Sequence, residues 1–194
     1  HDDLGRANWA SKVKELLFKY GFGFVWLSQE VGDINLFVRQ FKQRLEDCMV
    51  QNWHNDVNSS SRCDLYKHIK SMLNPEKYLC MNIPFKFKKS LARFRCSSHK
   101  LNVELGRHLG IDREYRTCFA CSVNTKTILV EDEYHVFFKC FRFNNLRDEM
   151  LFSCYTGGTD RIHFYNLLKR EDSFTVIRIA SFIYKILGLN DKNL

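Results

Sequence analysis

The sequence predicts an all-α protein: a helical domain with one small Cys/His-bearing insert, in which a short β-hairpin can form. Three observations carry this. Only two prolines, Pro75 and Pro84, occur in 194 residues, so few positions refuse a helix. Apolar residues recur at helical spacing over long stretches. The insert, near residues 118–140, is the one region where Cys and His crowd around a Thr127-Ile128-Leu129-Val130 run suited to a short strand.

Residues 7–20 place Trp9, Val13, Leu16, Leu17 and Tyr20 on one helical stripe, with Gly21 and Gly23 expected to end it. Asp33 is a candidate N-cap for a long helix striped by Phe37, Phe41, Leu45, Cys48 and Met49. The polar stretch Asn55 to Ser61 reads as a loop, and 62–73 as a short helix stopped at Asn74-Pro75. That leaves 75–83 as a hinge, and the predicted division is 1–83, a helical linker segment, and 84–194.

After Pro84, Phe87, Leu91 and Phe94 share one helical face, with Lys86, Lys89 and Arg93 on one flank and Lys88 and Arg95 on the other. Ser97 or Ser98 can start the next helix, in which Leu101, Leu105 and Leu109 align, and Gly110 can end it. From His135 the pattern is helical again, with Phe138, Phe141 and Leu146 inside, until Gly157-Gly158. A short helix follows over 160–169. Ser173 is a candidate cap for a last one, apolar on most sides and too short for a ~20-residue membrane span.

The net charge of +8 is uneven. Residues 84–117 hold nine Lys/Arg against three acids, a net of +6. A stripe of this kind suits nucleic-acid phosphates; a solvated helix face is its ordinary alternative. Lys86, Lys89, Arg93, Arg95, Lys100 and Arg107 are the candidate contacts. Phe85, Phe87 and Phe94 could stack on bases, but their spacing favours core packing. No signal peptide or membrane-length apolar run is visible, and the eight cysteines do not form the framework of a small secreted domain. The expected location is therefore nuclear or cytoplasmic, with no membrane partner. The chain starts at His1 rather than Met, which suggests a piece of a longer polypeptide.

Cys118 and Cys121 read C-x2-C; after a gap of 13, His135 and Cys140 read H-x4-C. Two close pairs of soft or borderline ligands are what a tetrahedral zinc site requires, so the insert is expected to be zinc-bearing. Four protein ligands leave no position for water, which points to a structural ion rather than a catalytic one. In a regular helix His135 and Cys140 would stand ~140° apart, so His135 is expected before the helix or in its first turn. Cys96 and His99 also have a ligand spacing, but a second site lacks two further ligands, and packed or hydrogen-bonded side chains are the better reading.

Residues 91–147 combine Arg93-Phe94-Arg95, Ser97-Ser98-His99, Glu104-Leu105-Gly106-Arg107, Arg116 to Cys121, Glu131 to His135, Phe137 to Cys140 and Leu146-Arg147. In combination they resemble the zinc-binding region downstream of the polymerase core in LINE-type (non-LTR) retrotransposon reverse transcriptases. The resemblance covers about a third of the chain. It implies the same four zinc ligands, an upstream polymerase domain as partner, and a role in handling template RNA or target DNA. It brings no catalysis. The aromatic-x-Asp-Asp pair of an RNA-directed DNA polymerase is missing, Asp2-Asp3 does not fit it, and no proline follows Pro84 for a Pro-Asp nuclease motif. The expected function is a nucleic-acid-binding accessory domain without enzyme activity. The alternative is a zinc-stabilised helical interaction module, or a decayed element fragment, with no nucleic-acid role.

Overall fold

A computed structural model describes residues 8–151 and 158–191; Cys154 and Gly157 lie outside them. The fold is all-α. The helices are α1 (Trp9–Lys19), α2 (Gly23–Ser28), α3 (Ile34–Ser59), α4 (Tyr66–Ile69), α5 (Lys77–Cys80), α6 (Phe85–Arg95), α7 (Asn102–His108), α8 (Phe119–Asn124), α9 (Asn144–Leu151), α10 (Arg161–Leu168) and α11 (Ser173–Asp191). A π turn spans His135–Lys139. The one β feature among the described residues is an antiparallel bridge between Thr117 and Val130. No helix among them is long and apolar enough to cross a membrane.

The chain forms two compact units, 1–56 and 57–194. In the first, Asn8 caps α1 by accepting from the Ser11 amide at 2.9 Å, and Asp33 caps α3 by accepting from Leu36 at 3.0 Å. Its core is Leu17, Phe22 and Val25, with Phe37 and Phe41 packed against them. Gly23 opens α2 instead of ending α1. The expected loop at Asn55–Ser61 is mostly helix, because α3 runs on to Ser59.

The boundary expected at 83/84 falls instead between Asp56 and Val57. The expected hinge at 75–83 is packed: Tyr78 and Ile83, like Leu65 and Ile69 before them, are buried in the core of the second unit. The expected 62–73 helix is broken into a 3₁₀ turn at Ser61–Cys63 and the single turn α4.

That core is built on α6 and α11, which pack against each other. Leu91 and Phe94 bury the face predicted for α6, with Phe87 partly covered. On α11, Ala180, Phe182, Ile183 and Ile186 are fully buried, as expected for a helix apolar nearly all round. Asp172, not Ser173, supplies its cap, accepting from the Thr175 amide at 2.9 Å; hydrogen bonds from the Thr175 hydroxyl, then its amide, then Arg170 hold the Asp172 carboxyl down at about 2. Phe137 joins α6 to α11 through ring contacts with Phe94 and Phe182, and Phe164 packs against both Phe94 and Phe137.

Candidate metal centre

Each ligand candidate is positioned by a different local device. Cys118 sits at the N-terminal end of α8 and Cys121 in its first turn, so one turn of helix places both thiols on one side. The Cys118 amide donates to the Leu129 carbonyl at 2.8 Å, and the Glu131 amide to the Arg116 carbonyl at 2.9 Å. These two bonds flank the Thr117–Val130 bridge and fold residues 118–130 back on themselves.

The second pair solves its spacing problem differently from the sequence expectation. His135 opens a π turn, and the Cys140 amide donates to the His135 carbonyl at 2.7 Å. An i→i+5 turn overwinds nothing; it widens the helix so that residues five apart return to the same side. Asp132 starts the turn, its Oδ1 accepting from the His135 amide at 2.8 Å. Its Oδ2 faces the guanidinium groups of Arg161 at 3.0 Å and Arg113 at 3.4 Å. Arg147 ends the turn, donating to the carbonyls of Phe137 at 2.7 Å and Cys140 at 3.1 Å. Asp132 and Arg147 were not among the candidate site residues. Both lie in quoted motifs, and an Asp three residues before His135 is a capping signal.

The four ligand candidates converge. Their ligand atoms all lie within 4.8 Å of one another, and all four residues are buried. Cys118 Sγ is 3.7 Å from Cys140 Sγ, Cys121 Sγ is 3.9 Å from Cys140 Sγ and 3.5 Å from His135 Nε2. Without a cation the group is electrostatically awkward. Its hydrogen bond to Cys140, reinforced by burial, pushes the Cys118 thiol up to about 12. Burial raises Cys121, and the bond from Cys118 lowers Cys140. Three sulfurs packed this closely share protons poorly, and a bound metal ion replaces those protons with a cation. The group can hold one.

In comparisons with family models, curated proteins and solved structures, nothing matches this chain.

Two networks surround the centre. Asn102 donates through its side chain to the Thr117 carbonyl at 2.8 Å, while the Asn102 amide donates to Glu131 Oε2 at 3.0 Å. The start of α7 is thus tied to both strands of the metal loop. At its other end, Gly106 leaves room for Arg116, whose guanidinium donates to the carbonyls of Val103 at 2.9 Å and Ile111 at 2.8 Å. Gly110 follows in the left-handed region, φ +69°, as its expected role requires. Leu101 is buried, but Leu109, on the same predicted stripe, is exposed.

Behind His135, Glu133 is buried and accepts from Ser97 Oγ at 2.6 Å and from His99 Nε2 at 2.9 Å. The Leu101 amide points to His99 Nδ1 at 3.4 Å. Nδ1 is therefore an acceptor, and the proton sits on Nε2. Burial raises the Glu133 carboxyl, but the bonds from His99 and Ser97 outweigh it and hold it below its ordinary value. His99 is a structural hydrogen-bonding residue. Cys96 is exposed and belongs to no metal-ligand group among the described residues.

The six basic candidates are not one surface. Lys86 and Lys89 are exposed on α6, and Arg93 is half-buried and donates to the Ser98 carbonyl at 2.9 Å. Lys100 is exposed beyond α6. Arg107 is half-buried and pairs with the buried Glu104 at 2.8 Å. Arg95 is a correction: it is buried, pairs with Glu76 at 3.1 Å, donates to the Leu168 carbonyl at 3.3 Å and lies over the Tyr78 ring. The reason is helical phase. Arg95 follows Leu91 by four residues, so it shares the apolar face and not the flank.

Proposed function

We propose that this chain is a nucleic-acid-binding accessory domain of a retrotransposon-type reverse transcriptase polypeptide, built around one structural zinc ion. The observation that carries the binding role is the row Lys86, Lys89 and Arg93 on α6, none of which has a carboxylate partner among the described residues. Cationic rows held on a rigid helix read phosphates and not bases. The resemblance of residues 91–147 supports the same reading, with an upstream polymerase domain as partner.

Zinc is the metal favoured by the donor set. Three thiolates and an imidazole suit it. Zn–S bonds of ~2.3 Å and Zn–N bonds of ~2.0–2.1 Å imply tetrahedral S···S edges of ~3.8 Å and S···N edges of ~3.6 Å. The sulfurs stand 3.7 and 3.9 Å apart and the Cys121–His135 edge is 3.5 Å. Bound there, zinc supplies a crosslink between α8 and the π turn. The protein residues fill the tetrahedron, so the chain is not itself an enzyme at this site.

A second reading, an interaction module without nucleic acid, is favoured by the exposed Phe119 and Ile128, at 76 % and 78 %, on the metal loop. Binding of the metal-loaded chain to single-stranded RNA and duplex DNA, measured against salt, separates the two. A steep salt dependence supports the first reading; no binding at low salt by a folded, metal-loaded chain supports the second.

A further inference from the structure

The misplaced arginine lines a cavity of about 250 Å³ whose walls include Lys70, Glu76, Tyr78, Arg95, Lys169 and Arg170. It lies where the α4–α5 connection meets the ends of α6 and α10. Glu76 is shared by two cations, Arg95 at 3.1 Å and Lys70 at 3.6 Å. Both cations are more than nine-tenths buried, with side-chain exposures of 6 % and 9 %. Lys169 stands at the rim with no ion pair among the described residues, while Lys77 pairs with Glu171 and Arg170 with Asp172. Three cations, Lys70, Arg95 and Lys169, therefore face one carboxylate: a net of +2. Arg95 Nε is in addition buried without a hydrogen-bond partner.

Buried cations normally come matched with anions, because an uncompensated buried charge is strongly unfavourable. A cavity that gathers two surplus positive charges and an unused guanidinium N–H has the chemistry of an anion site. We propose that it binds a phosphate monoester group, either free or at the 5′ end of a nucleic-acid strand. Near neutral pH such a group carries about two negative charges, which matches the surplus; a carboxylate would neutralise half of it. Arg95, through its unpartnered Nε–H, would hold a phosphate oxygen from the cavity wall and Lys169 another from the rim, while Lys70, whose ammonium already donates to Asn74 and Glu76, would add its charge. Cation–phosphate hydrogen bonds of this type are among the strong ones. The proposal does not depend on α6 binding nucleic acid.

The test is ³¹P NMR titration of inorganic phosphate with the full, metal-loaded chain at fixed ionic strength. Saturable broadening is expected in the unaltered protein. Lys169→Ala, an exposed change that leaves the fold alone, should weaken binding by about tenfold, the effect of one charge-assisted hydrogen bond. Lys70→Gln should do the same, and Lys89→Ala, outside the cavity, should not. Unsaturable broadening, or equal weakening by Lys89→Ala and Lys169→Ala, overturns the proposal. Competition by 5′-phosphorylated and 5′-hydroxyl oligonucleotides then assigns the source. Displacement by the phosphorylated strand alone upholds a strand terminus; displacement by neither upholds a free phosphate or small phosphoester. If phosphate binds but oligonucleotides do not, only the nucleic-acid reading falls.

Discussion

The Cys140 amide and the His135 carbonyl meet at 2.7 Å across a single π turn. That bond turns a five-residue spacing, wrong for one side of a regular helix, into a pair of ligands on the same side. A metal ion that grips both residues therefore also locks an otherwise uncommon backbone turn.

Native mass spectrometry should show one zinc per chain, absent in Cys140→Ser. Apparent binding free energies of such sites reach ~10–16 kcal/mol. Chelation should therefore strip amide-exchange protection from 116–147, while α1 and α2, in the other unit, keep theirs.

Metal affinity should fall as pH falls. With no cation the Cys118 thiol stands at about 12, so it is protonated at neutral pH and must lose that proton on binding. Each thiol ionised on binding makes apparent affinity drop about tenfold per pH unit lowered. A chelator competition series at neutral and mildly acidic pH would read this slope; a flat profile would mean that the thiols do not ligate.

Asp132→Ala should destabilise the second unit by about 1–2 kcal/mol, the usual loss for a capping carboxylate. Asp132→Asn should recover part of this, since an amide oxygen can still accept from His135 while the pairing with Arg161 and Arg113 is lost. Denaturant midpoints on metal-loaded protein would rank the three.

Gly106→Ala should lower stability by roughly 1–3 kcal/mol. Its new Cβ would lie 2.6 Å from Arg116 Cγ. Relieving that clash displaces the guanidinium from the Val103 and Ile111 carbonyls. Thermal unfolding checks it; a neutral result would mean that Arg116 has another equally good course.

Lys86, Lys89, Arg93 and Lys100 leave about four phosphate contacts, so the slope of log affinity against log salt should be about −3 to −3.6. Lys86→Ala and Lys89→Ala should each flatten it by nearly one. Arg95→Ala should act differently, reducing stability by about 3 kcal/mol, because a buried ion pair loses its guanidinium and Glu76 is left with Lys70 alone.

The ligand set was legible because it depends on residue chemistry at short range: Cys118, Cys121, His135 and Cys140 lie within one local stretch. The α6 face was legible from Phe87, Leu91 and Phe94 for the same reason. The π turn was not, because it is imposed by Asp132 at one end and Arg147 at the other, partners that periodicity does not reveal. Phe143, and not the predicted Phe141, turns inward, since the helix breaks at the extended Cys140 and restarts as a 3₁₀ turn over Phe141–Phe143. Leu65, Ile69, Tyr78 and Ile83 each sit in a brief, irregular element, whose sequence carries only a hinge or short-helix signal. For α4, burial comes from packing against the distant α10.

The Thr117–Val130 bridge makes the metal loop a closure between near neighbours in the chain, whereas α6 and α11 meet across a much longer separation. Short loops are entropically easier to close, and local contacts form faster than distant ones. During synthesis the ligands of the metal loop all emerge before α11 does. The loop can therefore close while Leu91 and Phe94 still wait for their cover. In that interval the exposed α6 face is the part of the nascent chain most open to aggregation, and metal supply cannot protect it.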